Sequence, residues 1–350
     1  MKMSSYINKL GLSFFTFLMI VSFLGCKRLI AKIDKVETTV YVSGYTTGSQ
    51  GKQVATYWKD DKENKLTAGT GNAVAQSIFV MGNDIYVVGS DECTNGNKAA
   101  CKWLNGHILP LTDGSTNAVA NKVLVQNKVV YIAGSFFNAN TRNVAAYWSD
   151  KIETTLSDGL TQASAYDIAL GGRDIYAAGF IVKNGGGKKV ATLWHNGVPT
   201  PLVDWHKESE AMGLAADGGN VYVVGYVKNK SGRQVATLWK NELAQDLSDG
   251  TTDAVANAIV IYKSKTYVVG TTISASGHKV ATLWKNGSKQ ILSDETADAE
   301  AFAVFIKDGD VYVAGYQKSE EGSEIATYWL NGKVHSLGSA SSRAYSVFVK

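Results

Sequence analysis

Five aspartates recur at one position of a repeated pattern, so they are the first candidates for chemistry. Aspartates at this spacing could bind a cation, but Ca²⁺ takes about 6–8 oxygen ligands. Single carboxylates in separate repeats rarely converge on one ion, so turn caps or ion pairs with recurring bases are the favoured interpretation. The aspartates are Asp113, Asp158, Asp204, Asp249 and Asp294, and the bases are Lys52, Arg142, Lys188 and Arg233.

The remaining polar residues do not form a catalytic or metal-binding motif. The five histidines, His107, His195, His206, His278 and His335, have neither zinc-site nor metalloprotease spacing. The pairs Glu208/Glu210 and Glu320/Glu321 lie in polar segments and are predicted to be solvated. We therefore predict no catalytic residue, no metal and no cofactor. A polysaccharide hydrolase or lyase, which needs two converging acids, remains an alternative.

Three aromatic residues depart from the repeat and are the candidate binding patch. Phe136 and Phe137 occupy a loop that is mostly polar in the other repeats, and Trp205 is the one tryptophan out of register. Trp205 is placed in a loop beside a single-residue insertion. Exposed aromatic residues mark contact sites for proteins or sugars. The alternative is that each side chain fills a gap in the core.

Two cysteines, Cys93 and Cys101, flank a short polar loop. In an oxidising compartment this arrangement predicts a disulfide across a hairpin, and two free thiols are the alternative.

The first 26 residues predict export. Lys2 and Lys9 precede an uncharged apolar stretch from Leu10 to Leu24, which is short for a membrane span and suits a signal sequence. Phe23-Leu24-Gly25-Cys26 resembles a bacterial lipobox, in which cleavage before the cysteine exposes a thiol for lipid attachment. We predict a signal peptide at 1–25, a lipid on Cys26 and a tether over 26–38. An ordinary secretory signal and an uncleaved anchor remain as alternatives.

The rest of the chain is a repeat of about 45 residues. One tyrosine and one tryptophan recur in every unit at separations of 45 or 46 residues. The tyrosines are Tyr41, Tyr86, Tyr131, Tyr176, Tyr222, Tyr267 and Tyr312, and the tryptophans are Trp58, Trp103, Trp148, Trp194, Trp239, Trp284 and Trp329. These residues recur in every unit, so they are predicted to pack between repeats.

Each unit contains four short runs with strand character, here named A to D in chain order. The runs are rich in β-branched residues and are joined by turn sequences such as Asn105-Gly106. The chain starts with a B run at Val40 and finishes with an A run at Ala344, so the two ends together supply one complete unit. We predict an all-β, seven-bladed β-propeller over residues 39–350, with four antiparallel strands per blade and closed by pairing of the terminal segments. A six-bladed ring with one extra blade is the weaker alternative.

The repeat resembles two known families. The Tyr-Val-x-Gly run, as in Tyr222-Val223-Val224-Gly225, resembles kelch-type propellers. The run that ends in Leu-Trp-x-Asn-Gly, as in Leu283 to Gly287, resembles the HAF repeats of bacterial extracellular proteins. The resemblance covers residues 39–350. It implies a propeller fold and export, and no catalytic residue.

The favoured function is therefore binding without catalysis. Removal of residues 1–25 takes away two lysines and no acid and leaves a formal charge of +2, so nucleic-acid binding is not indicated. We expect a monomeric lipoprotein of the bacterial cell envelope, held at the membrane through Cys26. It would bind a protein or a glycan on its loop face. The alternatives are the hydrolase or lyase and a purely structural envelope protein.

Overall fold

The computed structural model describes residues 38–150, 152–183, 187–338 and 341–350. The predicted signal sequence, Cys26 and residues 27–37 of the predicted tether lie outside these ranges. The described residues form β-strands joined by turns and loops, and none of them is helical.

The strands fall into seven sheets of four. In chain order they are β1 (Val40–Thr47), β2 (Gln53–Lys59), β3 (Lys62–Lys65), β4 (Ala73–Met81), β5 (Asp84–Glu92), β6 (Lys98–Leu104), β7 (His107–Pro110), β8 (Ala118–Gln126), β9 (Val129–Phe137), β10 (Asn143–Ser149), β11 (Ile152–Thr155), β12 (Ala163–Gly171), β13 (Asp174–Val182), β14 (Lys189–His195), β15 (Val198–Pro201), β16 (Ser209–Asp217), β17 (Asn220–Lys228), β18 (Gln234–Lys240), β19 (Leu243–Asp246), β20 (Ala254–Tyr262), β21 (Lys265–Ile273), β22 (Lys279–Lys285), β23 (Ser288–Ile291), β24 (Ala299–Lys307), β25 (Asp310–Lys318), β26 (Glu324–Leu330), β27 (Lys333–Ser336) and β28 (Ser342–Val349).

The seven sheets are the blades of a closed propeller, as predicted. Blade 1 has the order β28-β1-β2-β3, so the last strand of the chain supplies the A strand of the first blade. The β1–β28 pairing runs antiparallel from Val40↔Val349 to Thr46↔Ser342. Blades 2 to 7 each consist of four consecutive strands, from β4–β7 through to β24–β27. The A strand of each blade lies innermost, beside the central channel, and the D strand lies at the rim.

The repeated tryptophans fill the interfaces between blades. All seven are at most 2% exposed. Trp148 of blade 3 packs with Tyr86 and Val88 of blade 2, and Trp58 of blade 1 packs with Ala314 and Ala326 of blade 7. Large buried aromatic side chains provide much of the apolar area in such a core. The prediction that these residues pack between repeats is confirmed.

The glycine in each B strand allows the A strand to come close. A Cβ atom on Gly225 would lie 1.9 Å from the carbonyl oxygen of Glu210, and the equivalent glycines of the other blades show the same conflict, at 1.8–2.1 Å. At this point the A strand carries a β-bulge, as between Ala211 and Gly213 in β16. A bulge leaves one residue unpaired and changes the direction of its side chain.

The propeller has two distinct faces. The start of each A strand pairs with the end of the B strand, as in Ala73↔Asp91, so the D–A and B–C loops share one face, here called the loop face. The A–B and C–D turns lie on the opposite face, here called the turn face. Asn-Gly pairs at C–D turns, such as Asn105 (φ 52°) and Gly106 (φ 85°), have the positive φ angles expected of tight hairpins.

The strand register corrects the position of the insertion. The B–C hairpin of blade 4 closes at Val182↔Lys189, one residue longer than Lys228↔Gln234 in blade 5. The extra residue therefore belongs to the B–C loop of blade 4, not to the D–A loop that contains Trp205.

Candidate functional site

The central channel is the candidate functional site, because every blade turns one unpaired side chain into it. The bulge in each A strand leaves one residue outside the ladder. All seven of these residues are half-buried and line a single cavity of about 350 Å³. We call them the channel ring: Gln76, Asn121, Tyr166, Met212, Asn257, Phe302 and Tyr345.

The channel ring contains amide, aromatic and thioether side chains. Unlike the tryptophans and glycines, these residues differ from blade to blade. Asn121 Nδ2 donates to the carbonyl oxygen of Ala165 in the next blade, and Asn257 Nδ2 donates to that of Ala301, both at 2.8 Å. Phe302 and Tyr345 lie on adjacent blades with ring centroids 5.2 Å apart. The ring thus has an aromatic sector and separate amide positions.

Three blade interfaces next to the channel carry an ion pair that joins an A strand to the C strand of the preceding blade. Lys189 Nζ lies 3.0 Å from Glu210 Oε1 between blades 4 and 5, and Lys279 Nζ lies 2.7 Å from Glu300 Oε1 between blades 6 and 7. In both pairs the acid lies on the A strand and the lysine on the C strand of the preceding blade. These pairs join neighbouring blades close to the channel ring.

At the closing interface, between blades 7 and 1, the acid and the base exchange positions. Here Arg343 lies on the A strand β28 and Glu324 on the C strand β26. Arg343 donates through Nε at 2.5 Å and Nη2 at 2.6 Å, one bond to each carboxylate oxygen. The guanidinium carbon also lies 4.7 Å from the centroid of the Tyr316 ring. A bidentate arginine–carboxylate pair fixes geometry as well as charge.

Glu210 corrects the prediction of a solvated acidic pair. Glu210 is only 8% exposed. Its carboxylate accepts hydrogen bonds from Tyr166, Tyr226 and Lys189 at 2.7, 2.6 and 3.0 Å. Burial, reinforced by the Glu210 charge, raises the pKa of the Tyr166 hydroxyl well above its usual range. The hydroxyls of Tyr166 and Tyr226 therefore stay protonated and donate to Glu210, so both carboxylate oxygens of Glu210 already accept hydrogen bonds.

The five recurring aspartates are turn caps, as favoured from the sequence. Asp249 Oδ1 accepts from both the amide and the hydroxyl of Thr251, at 3.0 and 2.7 Å. Asp113 and Asp294 make the same pair of bonds, and Asp158 and Asp204 accept the amide two residues further on. These hydrogen bonds lower the pKa of Asp249. The carboxylates therefore hold their own loops.

The residues of the predicted aromatic patch occupy different surroundings. Phe136 packs on the core between blades 2 and 3, and Phe137 is half-buried at the end of β9. Trp205 is half-buried and lines a cavity of about 420 Å³ on blade 4 with Ile181 and Pro199. Lys183 Nζ lies 5.6 Å from the centroid of the Trp205 ring. A shared role for the three residues stays a prediction.

The predicted disulfide is not formed in the structure. Cys93 and Cys101 are both free, and Cys101 is buried opposite Gly89. Cys93 donates its amide to Asn97 at the loop end of the hairpin, so the two cysteines lie four ladder positions apart. At about 3.3 Å per residue this is roughly 13 Å, beyond the Cα separation that a disulfide spans.

A second cleft lies on blade 5. His206 and Glu208 line a cavity of about 680 Å³ with Lys188 and Lys228. Asp204 is not part of that lining. Glu208 Oε1 lies 2.7 Å from Lys228 Nζ, so its charge is compensated. The triplet Asp204, His206 and Glu208 therefore does not converge as a catalytic cluster would require.

Within the described ranges, no three histidine, cysteine or acidic side chains come close enough to hold a metal ion. None of the described residues belongs to an apolar helix long enough to cross a membrane.

The channel ring and the interface ion pairs are candidate functional residues that the sequence did not predict. One signal was present: five A runs begin Ala-x-Ala and two begin Ser-x-Ala, and the residue after the second small residue breaks the alternation, as Gln76 does after Ala73-Val74-Ala75. That break marks the bulge. The ion pairs had no comparable signal, because Lys189 and Glu210 belong to different units.

With this geometry established, comparison with solved structures supports the fold. A puromycin-hydrolyzing peptidase of Mycobacterium tuberculosis matches 88% of this chain at 11% identity and a TM-score of 0.58, and the match spans about half (52%) of that protein. The β-propeller domain of the trilobed protease from Pyrococcus furiosus matches 86% of this chain and 95% of its own, at 10% identity and a TM-score of 0.53.

An acylaminoacyl peptidase of Pyrococcus horikoshii matches 87% of this chain and 51% of its own, at 13% identity and a TM-score of 0.54. These identities show a shared propeller fold and nothing finer. No family model matches the sequence, and no curated protein does. The kelch and HAF resemblances are therefore not confirmed, while the seven-bladed β-propeller is.

Proposed function

We propose that this protein is a lipid-anchored protein of the bacterial cell envelope that binds a ligand in its central channel, at the channel ring. The observation that carries the proposal is the channel ring. Seven bulges direct seven side chains into one cavity, and these side chains vary while the scaffold repeats. Bulges of this kind are frequent beside active and binding sites. A rigid repeat with varied residues at its centre suits recognition.

The site has the composition of a ligand pocket. Aromatic and aliphatic walls with a few placed polar groups are typical of small-ligand sites, which measure about 300–1,000 Å³. The channel cavity, at about 350 Å³, is at the small end of that range. A folded protein does not fit there, but a small molecule or the end of a chain does. A protein partner would instead contact the surrounding loops, including the predicted patch at Trp205.

The anchor is proposed from the sequence of residues 1–26. In the propeller, β1 begins at Val40 beside the C–D turn at Asp60, so the first described strand starts on the turn face. Replacement of Cys26 by serine should abolish incorporation of labelled palmitate and release the protein from the membrane fraction. Unchanged labelling would contradict the lipid anchor.

The hydrolase or lyase is the less favoured function. Glu210 already accepts three hydrogen bonds, and Glu300 and Glu324 are paired with basic side chains. A general acid or nucleophile in a glycosidase needs a carboxyl group free to reach the substrate. These carboxylates instead hold the blades together.

Capture from solubilised envelope material tests the binding role. Mature full-length protein in detergent is compared with Phe302→Leu, which alters the channel ring, and Trp205→Ala, which alters the rim. We expect a specific component to be retained by the wild type and by Trp205→Ala, and reduced with Phe302→Leu. Circular dichroism melts confirm that both variants fold. Loss with Trp205→Ala alone would move the site to the predicted patch, and retention of nothing by any protein would reject binding.

A further inference from the structure

We propose that the channel ring binds the end of a neutral glycan chain, with a sugar ring held against the aromatic sector and hydrogen-bonded by the amide side chains of the ring. This inference rests on the proposed binding function and specifies its ligand class.

The charge of the cavity favours a neutral ligand. Among its lining residues only Lys122 and Asp167 are charged, and Lys122 Nζ lies 3.7 Å from Asp167 Oδ1. The Asp167 carboxylate also accepts the backbone amides of Ile168 and Leu214, at 2.8 and 3.0 Å. Both charges are thus compensated within the wall. A ligand with a net charge would leave water without gaining an opposite charge here.

The amide side chains favour hydroxyl groups. Asn121 and Asn257 each use Nδ2 on a backbone carbonyl, and the Oδ1 atom of each accepts no hydrogen bond from the described residues. Gln76 makes no side-chain hydrogen bond within the same part of the chain. An amide has two N–H donors and an acceptor oxygen, so each side chain keeps both kinds of group available. A ligand hydroxyl group can also donate and accept, so it can bond either the N–H group or the oxygen of these amides.

The aromatic residues occupy neighbouring positions of the channel ring, flanked by Asn257 on one side and Gln76 on the other. Phe302 of blade 7 and Tyr345 of blade 1 are adjacent, and Tyr45 extends the group, with its ring centroid 6.1 Å from that of Tyr345. The amides lie on blades 2, 3 and 6. Aromatic faces carry negative potential and attract C–H groups. A sugar ring has a C–H face and hydroxyls around its edge, which matches this division.

The polarity of the cavity favours entry by a chain end. The cavity extends from the channel ring toward the turn face, where Phe79, Phe348 and Phe305 form a row with centroids 4.9 Å apart. This apolar end offers nothing to a hydroxyl group. A peptide has its polar groups along two edges of an extended backbone. A sugar offers them around its perimeter, as the amides on three separate blades require.

The test measures binding of neutral oligosaccharides to the mature full-length protein in detergent. A glycan array of hexose, pentose and N-acetylhexosamine oligomers is followed by titration calorimetry of any positive member. Gln76→Leu removes one amide side chain of the channel ring that makes no hydrogen bond to any described residue. We expect affinity to fall about tenfold, as for one lost hydrogen bond. Gln245→Leu makes the same substitution at an exposed position of the outermost strand β19, far from the channel ring, so affinity should stay within about twofold.

Polygalacturonate and a neutral peptide library complete the design. Preference for either one over every neutral glycan overturns the ligand class. Glycan binding that Trp205→Ala abolishes and Gln76→Leu leaves unchanged overturns the location. If no array member binds at millimolar concentration while an envelope component is still captured, the glycan inference fails and the proposed binding function stands. If neither a glycan nor an envelope component is retained, both fail.

Discussion

The ion pair at the closing interface gives the sharpest prediction about stability. Arg343 and Glu324 join the last strand of the chain to blade 7 through two hydrogen bonds, and their side chains are 29% and 20% exposed. Breaking a fully buried pair costs about 3–5 kcal/mol, whereas an exposed pair contributes about 0–1 kcal/mol. For a pair that is mostly buried we expect Glu324→Gln to lower the free energy of unfolding by about 2 kcal/mol.

The reversed polarity of this interface allows a stricter test. The other two ion pairs between an A strand and a C strand place the acid on the A strand and the lysine on the C strand, as in Glu210 with Lys189. Arg343→Glu combined with Glu324→Lys reproduces that arrangement at the closing interface. Each single change places like charges together and should cost about 3 kcal/mol. The double variant should recover at least half of the summed loss, because the two residues are in direct contact.

Urea unfolding followed by tryptophan fluorescence measures these differences, since the interface tryptophans report the separation of blades. The control is Lys65→Gln, which breaks an exposed pair with Glu63 at 3.7 Å and should change stability by less than about 0.5 kcal/mol. The reasoning is refuted if the closing variants behave like this control. It is also refuted if the stability lost in the double variant equals the sum of the losses in the two single variants.

Three further predictions concern a glycine, a thiol and a carboxyl group. Gly225→Ala places a Cβ atom 1.9 Å from a backbone carbonyl oxygen and should cost about 3 kcal/mol or more in urea unfolding. The control is Gly338→Ala, whose Cβ atom would meet no described residue nearer than Ser342 at 3.9 Å, and it should be near neutral. Equal effects would contradict the close approach of the strands. Burial raises the pKa of the Cys101 thiol to about 12, so Cys101 should resist alkylation at pH 8 in the folded protein. Unfolding without reductant should make both Cys93 and Cys101 reactive, because both are free thiols. Peptide mapping that finds a Cys93–Cys101 disulfide would contradict the strand register. The hydrogen bond from Lys318 holds the pKa of the Asp298 carboxyl group below its ordinary value. The stability that this carboxylate contributes is therefore present above the pKa of Asp298 in the unfolded chain, and it is lost as the pH falls through the lower pKa of the folded protein. Asp298→Asn should flatten the acid side of a plot of unfolding free energy against pH, and an unchanged slope would show that the contact contributes nothing.

Repetition explains why so much of the fold could be read from the chain. The tyrosine and tryptophan spacings set the number of blades, and the Asn-Gly pairs set the C–D turns, because these depend on residues close together in sequence. The start at a B run and the finish at an A run predicted the closure that β1 and β28 make. The aspartate caps were also predictable, since each bonds two residues away.

The candidate site could not be read in this way. Its residues come from seven blades and meet only because the ring brings the bulges to one axis. Glu210 was predicted to be solvated because its neighbours in sequence are polar, yet blade 4 covers it with Lys189 and Tyr166. Likewise, the eight-residue spacing of Cys93 and Cys101 suggested a disulfide that the ladder register keeps apart. Local sequence therefore determined the strands, the turns and the closure, while the channel ring and the interface charges were decided by contacts between blades, which short-range pattern does not encode.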